Sequence, residues 1–186
     1  MITRRTRQLV MAIAVSAAVA ATTAASAATA GGDSRSKRDT ILEQLTGYEE
    51  DSLTISTTGT GQFRAKIDER RQEITYRLSY ARIEGGAVTQ AHIHFGLPAQ
   101  SGGISVFLCT NLGNGPAGTQ ACPPAPATIT GTIRPADVIG PTGQGIAAGE
   151  FDELVDAIRA EATYVNVHTE VYQAGEIRAQ LEPHHP

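Results

Sequence analysis

Along most of this chain apolar and polar residues alternate, the period of a β-strand with one buried face. The longest run is 74–83, where Ile74, Tyr76, Leu78 and Tyr80 share one face and Thr75, Arg77 and Ser79 the other. Shorter segments of the same kind lie at 53–57, 63–68, 88–95, 104–108, 128–133, 164–168 and 176–181. Turn formers such as Gly85-Gly86 and Gly175 separate them. The spacing becomes helical at 151–161, where Phe151, Leu154, Val155 and Ile158 recur every three or four residues. Asp152 and Glu153 in its first turn and Arg159 near its end suit the helix dipole. Ile41, Leu42 and Leu45 suggest one further helical turn. Eight short strands and one short helix predict an all-β fold, an antiparallel, Greek-key-like sandwich or barrel. The helix should lie on the sheet or close one end of it.

Two of these strands carry histidines. In Ala91-His92-Ile93-His94-Phe95-Gly96, His92 and His94 share one face and Ile93 and Phe95 the other. In Tyr164-Val165-Asn166-Val167-His168-Thr169, His168 shares a face with Asn166 and Tyr164. If the valines and isoleucine turn inward, all three histidines turn outward. Neighbouring strands lie ~4.8 Å apart and i,i+2 side chains about 7 Å apart, so three imidazoles on adjacent strands can surround one ion. Neutral imidazole suits zinc and copper. Three such ligands with an open position suit catalysis or transport better than a purely structural ion. The alternative is structural, with the imidazoles hydrogen-bonded to backbone carbonyls or to carboxylates at the sheet rim. His184 and His185 belong to the C-terminal tail, 184–186.

The chain begins with Arg4, Arg5 and Arg7, an apolar run from Leu9 to Ala21, and small-x-small sites at Ala25-Ser26-Ala27 and Ala28-Thr29-Ala30. That layout predicts a secretory signal peptide over 1–27. An uncleaved membrane anchor is the alternative, though the run is short of the ~20 strongly apolar residues a span needs. Residues 28–46 read as a flexible leader and 47–183 as one β-domain. The 186-residue chain has 15 basic and 19 acidic residues, a formal charge of −4. Without 1–27, which hold three arginines and no acid, 12 basic residues face 19 acids and the charge is −7. That balance argues against nucleic acid and anionic membrane as partners. No later segment is apolar enough to insert into a bilayer.

Cys109 and Cys122 lie past the export signal, where a disulfide is the default. It would close a loop rich in Gly, Asn and Pro. A thiolate metal site or redox switch is the alternative. Little else reads as catalytic: Ser101 and Ser105 lack a nucleophile's context, and the Gly-x-Ser-x-Gly elbow is absent. The glycines of 141–149 do not open onto a phosphate-cradling helix. Glu176 and Arg178 flank Ile177 on one face of the last strand and read as members of a cross-strand or i,i+2 ion pair.

The two histidine segments, followed by Gly175-Glu176-Ile177-Arg178-Ala179-Gln180-Leu181, resemble the CHRD domain, named for chordin and found in secreted microbial proteins. The resemblance covers about 47–182, with Ala179 standing where the family usually has Gly. It implies a β-sandwich or barrel in an extracellular protein and supplies no enzymatic activity. Chordin's growth-factor-binding role belongs to cysteine-rich modules that this chain lacks. A fainter similarity links His92-x-His94-Phe95-Gly96 and Val165-x-Val167-His168 to copper-ligand segments of copper/zinc superoxide dismutase. The bridging histidine, the zinc-ligand cluster and a matching arginine context have no counterpart here.

Two functions follow. The first is a non-catalytic, secreted binding or structural module, extracellular or in the cell envelope, for a ligand or protein the sequence does not identify. The second is a copper- or zinc-binding protein using His92, His94 and His168.

Overall fold

The computed structural model of the chain describes residues 40–51 and 53–183. The expected signal peptide, most of the leader and the 184–186 tail lie outside these residues. Eight strands are present: β1 (Thr40–Thr46), β2 (Thr60–Asp68), β3 (Glu73–Ala81), β4 (Val88–Phe95), β5 (Gly103–Thr110), β6 (Ala127–Ile133), β7 (Thr163–Thr169) and β8 (Ile177–Gln180). One α-helix, α1 (Phe151–Arg159), precedes β7. The strands form one sheet in the order β5-β4-β7-β8-β1-β2-β3-β6, and every pairing is antiparallel. The connections after β3, β5 and β6 jump between non-neighbours, so the expected all-β fold is present as a nearly closed barrel.

Sheet curvature brings the edge strands β5 and β6 together. A side chain fills their seam. Gln120 donates through Nε2 to the carbonyls of Leu108 on β5 and Thr130 on β6, at 3.0 and 3.2 Å. Tyr76 also donates to Leu108 O, at 3.2 Å.

The alternation seen in the sequence sorts the barrel's two faces. Phe63, Ala65 and Ile67 on β2, and Ile74, Tyr76, Leu78 and Tyr80 on β3, point inward and are buried. Ile93, Val165, Val167 and Ile177 complete the far wall of the same core. Fully burying each such aliphatic side chain stabilises by roughly 1.5–3 kcal/mol. The apolar stripe of α1, made by Phe151, Leu154, Val155 and Ile158, packs into this core. An ion pair between Arg159 and Glu69 ties the end of α1 to the β2–β3 turn. The Cys109–Cys122 disulfide is formed. Among the described residues no helix is long and apolar enough to cross a membrane.

Three sequence expectations are corrected. The flexible leader does not extend to 46, and Ile41 and Leu45 are not on a helical turn. They lie on β1, which pairs residue for residue with β2 and buries both side chains. Ile41 and Leu45 are four apart, a spacing that fits a helix and a strand alike, and Glu43 at the inward position between them hides the alternation. Segment 53–57 is not a strand. It crosses the outside of the barrel as an irregular loop, fixed where Ile55 N donates to Gly47 O at 2.8 Å. Third, Glu176 and Arg178 do not pair with each other. The carboxylate of Glu176 accepts from Thr57 Oγ1 and from the backbone amides of Glu84 and Gly85, at 2.8, 2.7 and 2.9 Å. Arg178 pairs with Asp51 at 3.0 Å. Both side chains are buried, because loops cover this part of the barrel's outer face.

Candidate metal centre

The pairing of β4 with β7 brings the histidine segments together. His92 lies opposite Asn166, His94 opposite Tyr164 and Gln90 opposite His168. The inward residues Ile93, Val165 and Val167 anchor both strands in the core. All three imidazoles therefore project from the barrel's outer surface, as alternation requires. They are not exposed, however: His92 is 1% accessible, His94 7% and His168 6%. Irregularities in the β4–β5 register set Phe107 opposite His92, and the two rings meet edge to face at 4.3 Å. Tyr164 lies parallel to His94 at 4.8 Å. The carbonyls of Gly102 and Gln173 reach in from loops above the strands.

Those carbonyls fix two of the rings. A carbonyl only accepts, so His94 donates from Nδ1 to Gly102 O at 2.9 Å. His168 donates from Nδ1 to Gln173 O at 2.9 Å. In both, Nε2 is left as the lone-pair nitrogen. A carbonyl held on Nδ1 in this way fixes the tautomer and orientation of a metal-binding histidine. His92 Nδ1 lies 3.1 Å from His168 Nε2. Nε2 of His94 and Nε2 of His92 are buried and have no hydrogen-bond partner. One ligand nitrogen from each ring lies within 4.8 Å of the others. A tetrahedral ion with ~2.0–2.1 Å bonds separates its ligands by roughly 3.3 Å, so small rotations of the rings close this set around one ion.

The protonation state suits a ligand set. Burial pushes His92 down to about 2 and His168 to about 4, with the neighbouring imidazoles pushing the same way. His94 is lowered too, first by burial and then by the Arg178 cation, which outweigh its hydrogen bond to Gly102. At neutral pH all three rings are uncharged, and each keeps one nitrogen without a proton.

Behind the rings lies a polar layer. The Arg178 guanidinium covers the far face of the cluster, 3.5 Å from the Tyr164 ring centroid, donates to Leu97 O at 3.2 Å and pairs with Asp51. Glu50, beside Asp51, has its carboxyl pushed up to about 8, chiefly by burial, with Asp51 adding and Arg178 opposing. Asn166 donates to Ala174 O at 3.3 Å. Sequence reasoning placed Tyr164 and Asn166 on the face of His168 but missed Glu50 and Asp51. Only folding brings residue 51 to residue 178, and no local pattern marks it. Of the two alternatives for the histidines, neither carbonyls nor the metal has to be dropped, since the carbonyls bind Nδ1 and leave Nε2. No carboxylate hydrogen-bonds the three rings among the described residues.

The family model for the CHRD domain matches residues 43–181. No curated protein matches the chain, and no solved structure does.

Proposed function

The chain belongs to the CHRD domain family, and from the geometry of its histidines we propose that it is an exported protein that holds one copper or zinc ion through His92, His94 and His168. One observation carries this reading. Three neutral, buried imidazoles share a site, two with Nδ1 tied to carbonyls, and two buried nitrogens point to nothing in the protein. An unsatisfied buried polar atom costs about 1–3 kcal/mol, and two such atoms beside a third imidazole call for a common partner. An ion supplies it. Three neutral nitrogen donors favour copper and zinc over magnesium or calcium, which take oxygen. A fourth position is left for water or a ligand. The charged stretch at the chain's start, the disulfide and the family support export.

The test is a metal titration of the full chain with His184 and His185 replaced by Ala, which removes adventitious tail binding. One equivalent of copper or zinc should bind. Each of His92→Ala, His94→Ala and His168→Ala should weaken it more than about 100-fold, beyond the 10–100-fold cost of losing an outer partner. Equal binding by the three variants and the parent would contradict the reading. Without the ion, the protein would be the non-catalytic secreted module.

A further inference from the structure

The outer face of β1, β2, β3 and β6 lies on the other side of the barrel from β4 and β7 in sheet order. Register turns it into a grid. One row across the four strands is Leu42, Arg64, Arg77 and Thr130. The row on one side is Gln44, Gln62, Ser79 and Thr128, and on the other Thr40, Lys66, Thr75 and Thr132. These positions hold three cations and no acid, in a chain whose acids outnumber its bases 19 to 15. Arg64 and Arg77 are direct cross-strand partners. Like charges so placed are destabilising. Among the described residues no carboxylate pairs with Arg64, Lys66 or Arg77. Arg64 donates only to Gln62, at 2.8 Å, and Arg77 to Thr128, at 3.5 Å. Asp68 and Glu73, on the next row of the same face, are held by Arg71 and Arg134 at 3.8 and 2.8 Å. A shallow groove of about 360 Å³ runs over Thr40, Leu42, Arg64, Lys66, Thr75 and Arg77.

We propose that this face docks an anionic polysaccharide, its carboxylate or sulfate groups on Arg64, Arg77 and Lys66 and its hydroxyls on the threonines and glutamines. An unpaired, like-charged set kept at a cost to stability is complementary to a polyanion. Arginine forks bind carboxylate and sulfate oxygens in pairs. Hydroxyl and amide side chains both donate and accept, as sugar hydroxyls do. The other polyanions fit less well. A protein partner needs an apolar centre, and the grid offers only Leu42. An anionic membrane calls for clusters of about 4–8 cations. Duplex nucleic acid takes on the order of 6–10 phosphate contacts and would meet an acidic chain around them. This proposal is independent of the metal site.

The test uses the full chain in affinity electrophoresis and calorimetry at low salt. Polygalacturonate is the probe and neutral dextran the control, with duplex DNA and anionic phosphatidylglycerol vesicles as competing partners. Polygalacturonate should bind, dextran should not, and added salt should weaken the complex. Arg64→Gln with Arg77→Gln should weaken it at least tenfold. Arg70→Gln with Arg71→Gln, at the β2–β3 turn, should change it less than twofold. The unfolding midpoint of the Arg64/Arg77 variant should stay level or rise, which separates lost binding from lost folding. Absence of polygalacturonate binding, equal binding by the Arg64/Arg77 variant, or DNA or vesicles bound as tightly as the polyuronate would overturn the proposal.

Discussion

Arg178 and Tyr164 stack, with the guanidinium carbon 3.5 Å from the ring centroid. The other side of the same tyrosine column is His94, parallel to it within 1°. A cation, an aromatic ring and an imidazole thus form one buried pile, pinned at its outer end by Asp51. Each stacked contact contributes about 0.5–2 kcal/mol. The larger effect is orientation, because Tyr164 has little room to turn and His94 must follow it.

The Arg178–Asp51 pair is the first place to perturb this pile. Both partners are buried, so removing one takes away the other's countercharge. Arg178→Ala should destabilise the protein by about 3–5 kcal/mol in urea unfolding, and Asp51→Leu by a comparable amount. The double variant Arg178→Met with Asp51→Leu should recover most of the loss, since a well-packed apolar pair replaces an ion pair with little penalty.

Acid should weaken the metal-free protein as pH falls below the ordinary histidine value of about 6.5. In the unfolded chain each histidine takes a proton near pH 6.5, whereas folded His168 resists to about 4 and folded His92 to about 2. The unfolded state therefore binds more protons below pH 6.5, and stability falls as pH falls, by about 1.4 kcal/mol per unit for each ring. Urea midpoints between about pH 7 and pH 4.5 measure the slope. His168→Gln should flatten it.

Glu50 gives the opposite slope. Its carboxyl is raised to about 8, so between its ordinary value of 4.5 and 8 the folded protein holds a proton the unfolded chain has lost. Stability from this group is full below 4.5 and declines as pH rises through 8. Glu50→Gln should match the parent near pH 4.5 and exceed it above pH 8. With the histidine slope, this puts the optimum of the metal-free protein near pH 6.5.

The disulfide closes a loop of the Gly-, Asn- and Pro-rich segment between Cys109 and Cys122, 13 residues apart. Cys109→Ser with Cys122→Ser should cost about 3 kcal/mol of stability, on the chain-entropy model, read as a lower urea midpoint. The seam beside it, where Gln120 joins β5 to β6, should gain hydrogen-exchange rate in the same variant.

How much of this was legible beforehand follows from what is local. Alternation is local, so the inward faces of β2 and β3 and the shared face of His92 and His94 could be read from neighbours two apart. The spacing of Phe151, Leu154, Val155 and Ile158 likewise revealed α1. Strand pairing is not local: His92 and His168 meet across 76 residues, and only the β4–β7 register decides whether they do. Burial of the rings is not local either. The residues covering the rings, Gly102, Phe107 and Gln173, come from three other segments. The expected count of eight strands was right, yet one member was wrong. Leu53, Ile55 and the threonines between have the composition of a strand, but Gly47 and Glu176 hold that segment as a loop. β1 took its place, disguised by inward-facing Glu43. Glu176 is an available i,i+2 partner for Arg178, because side chains two apart on a strand face the same way, and nothing in that pattern announces Asp51.

X-ray absorption on the metal-loaded full chain, with His184 and His185 replaced by Ala, tests the central claim most directly. Three imidazoles should surround one copper or zinc ion at ~2.0–2.1 Å, and His92→Ala should leave two. A chain that keeps no ion after desalting, or an ion bound by fewer than three imidazoles in the parent, would contradict a three-histidine centre.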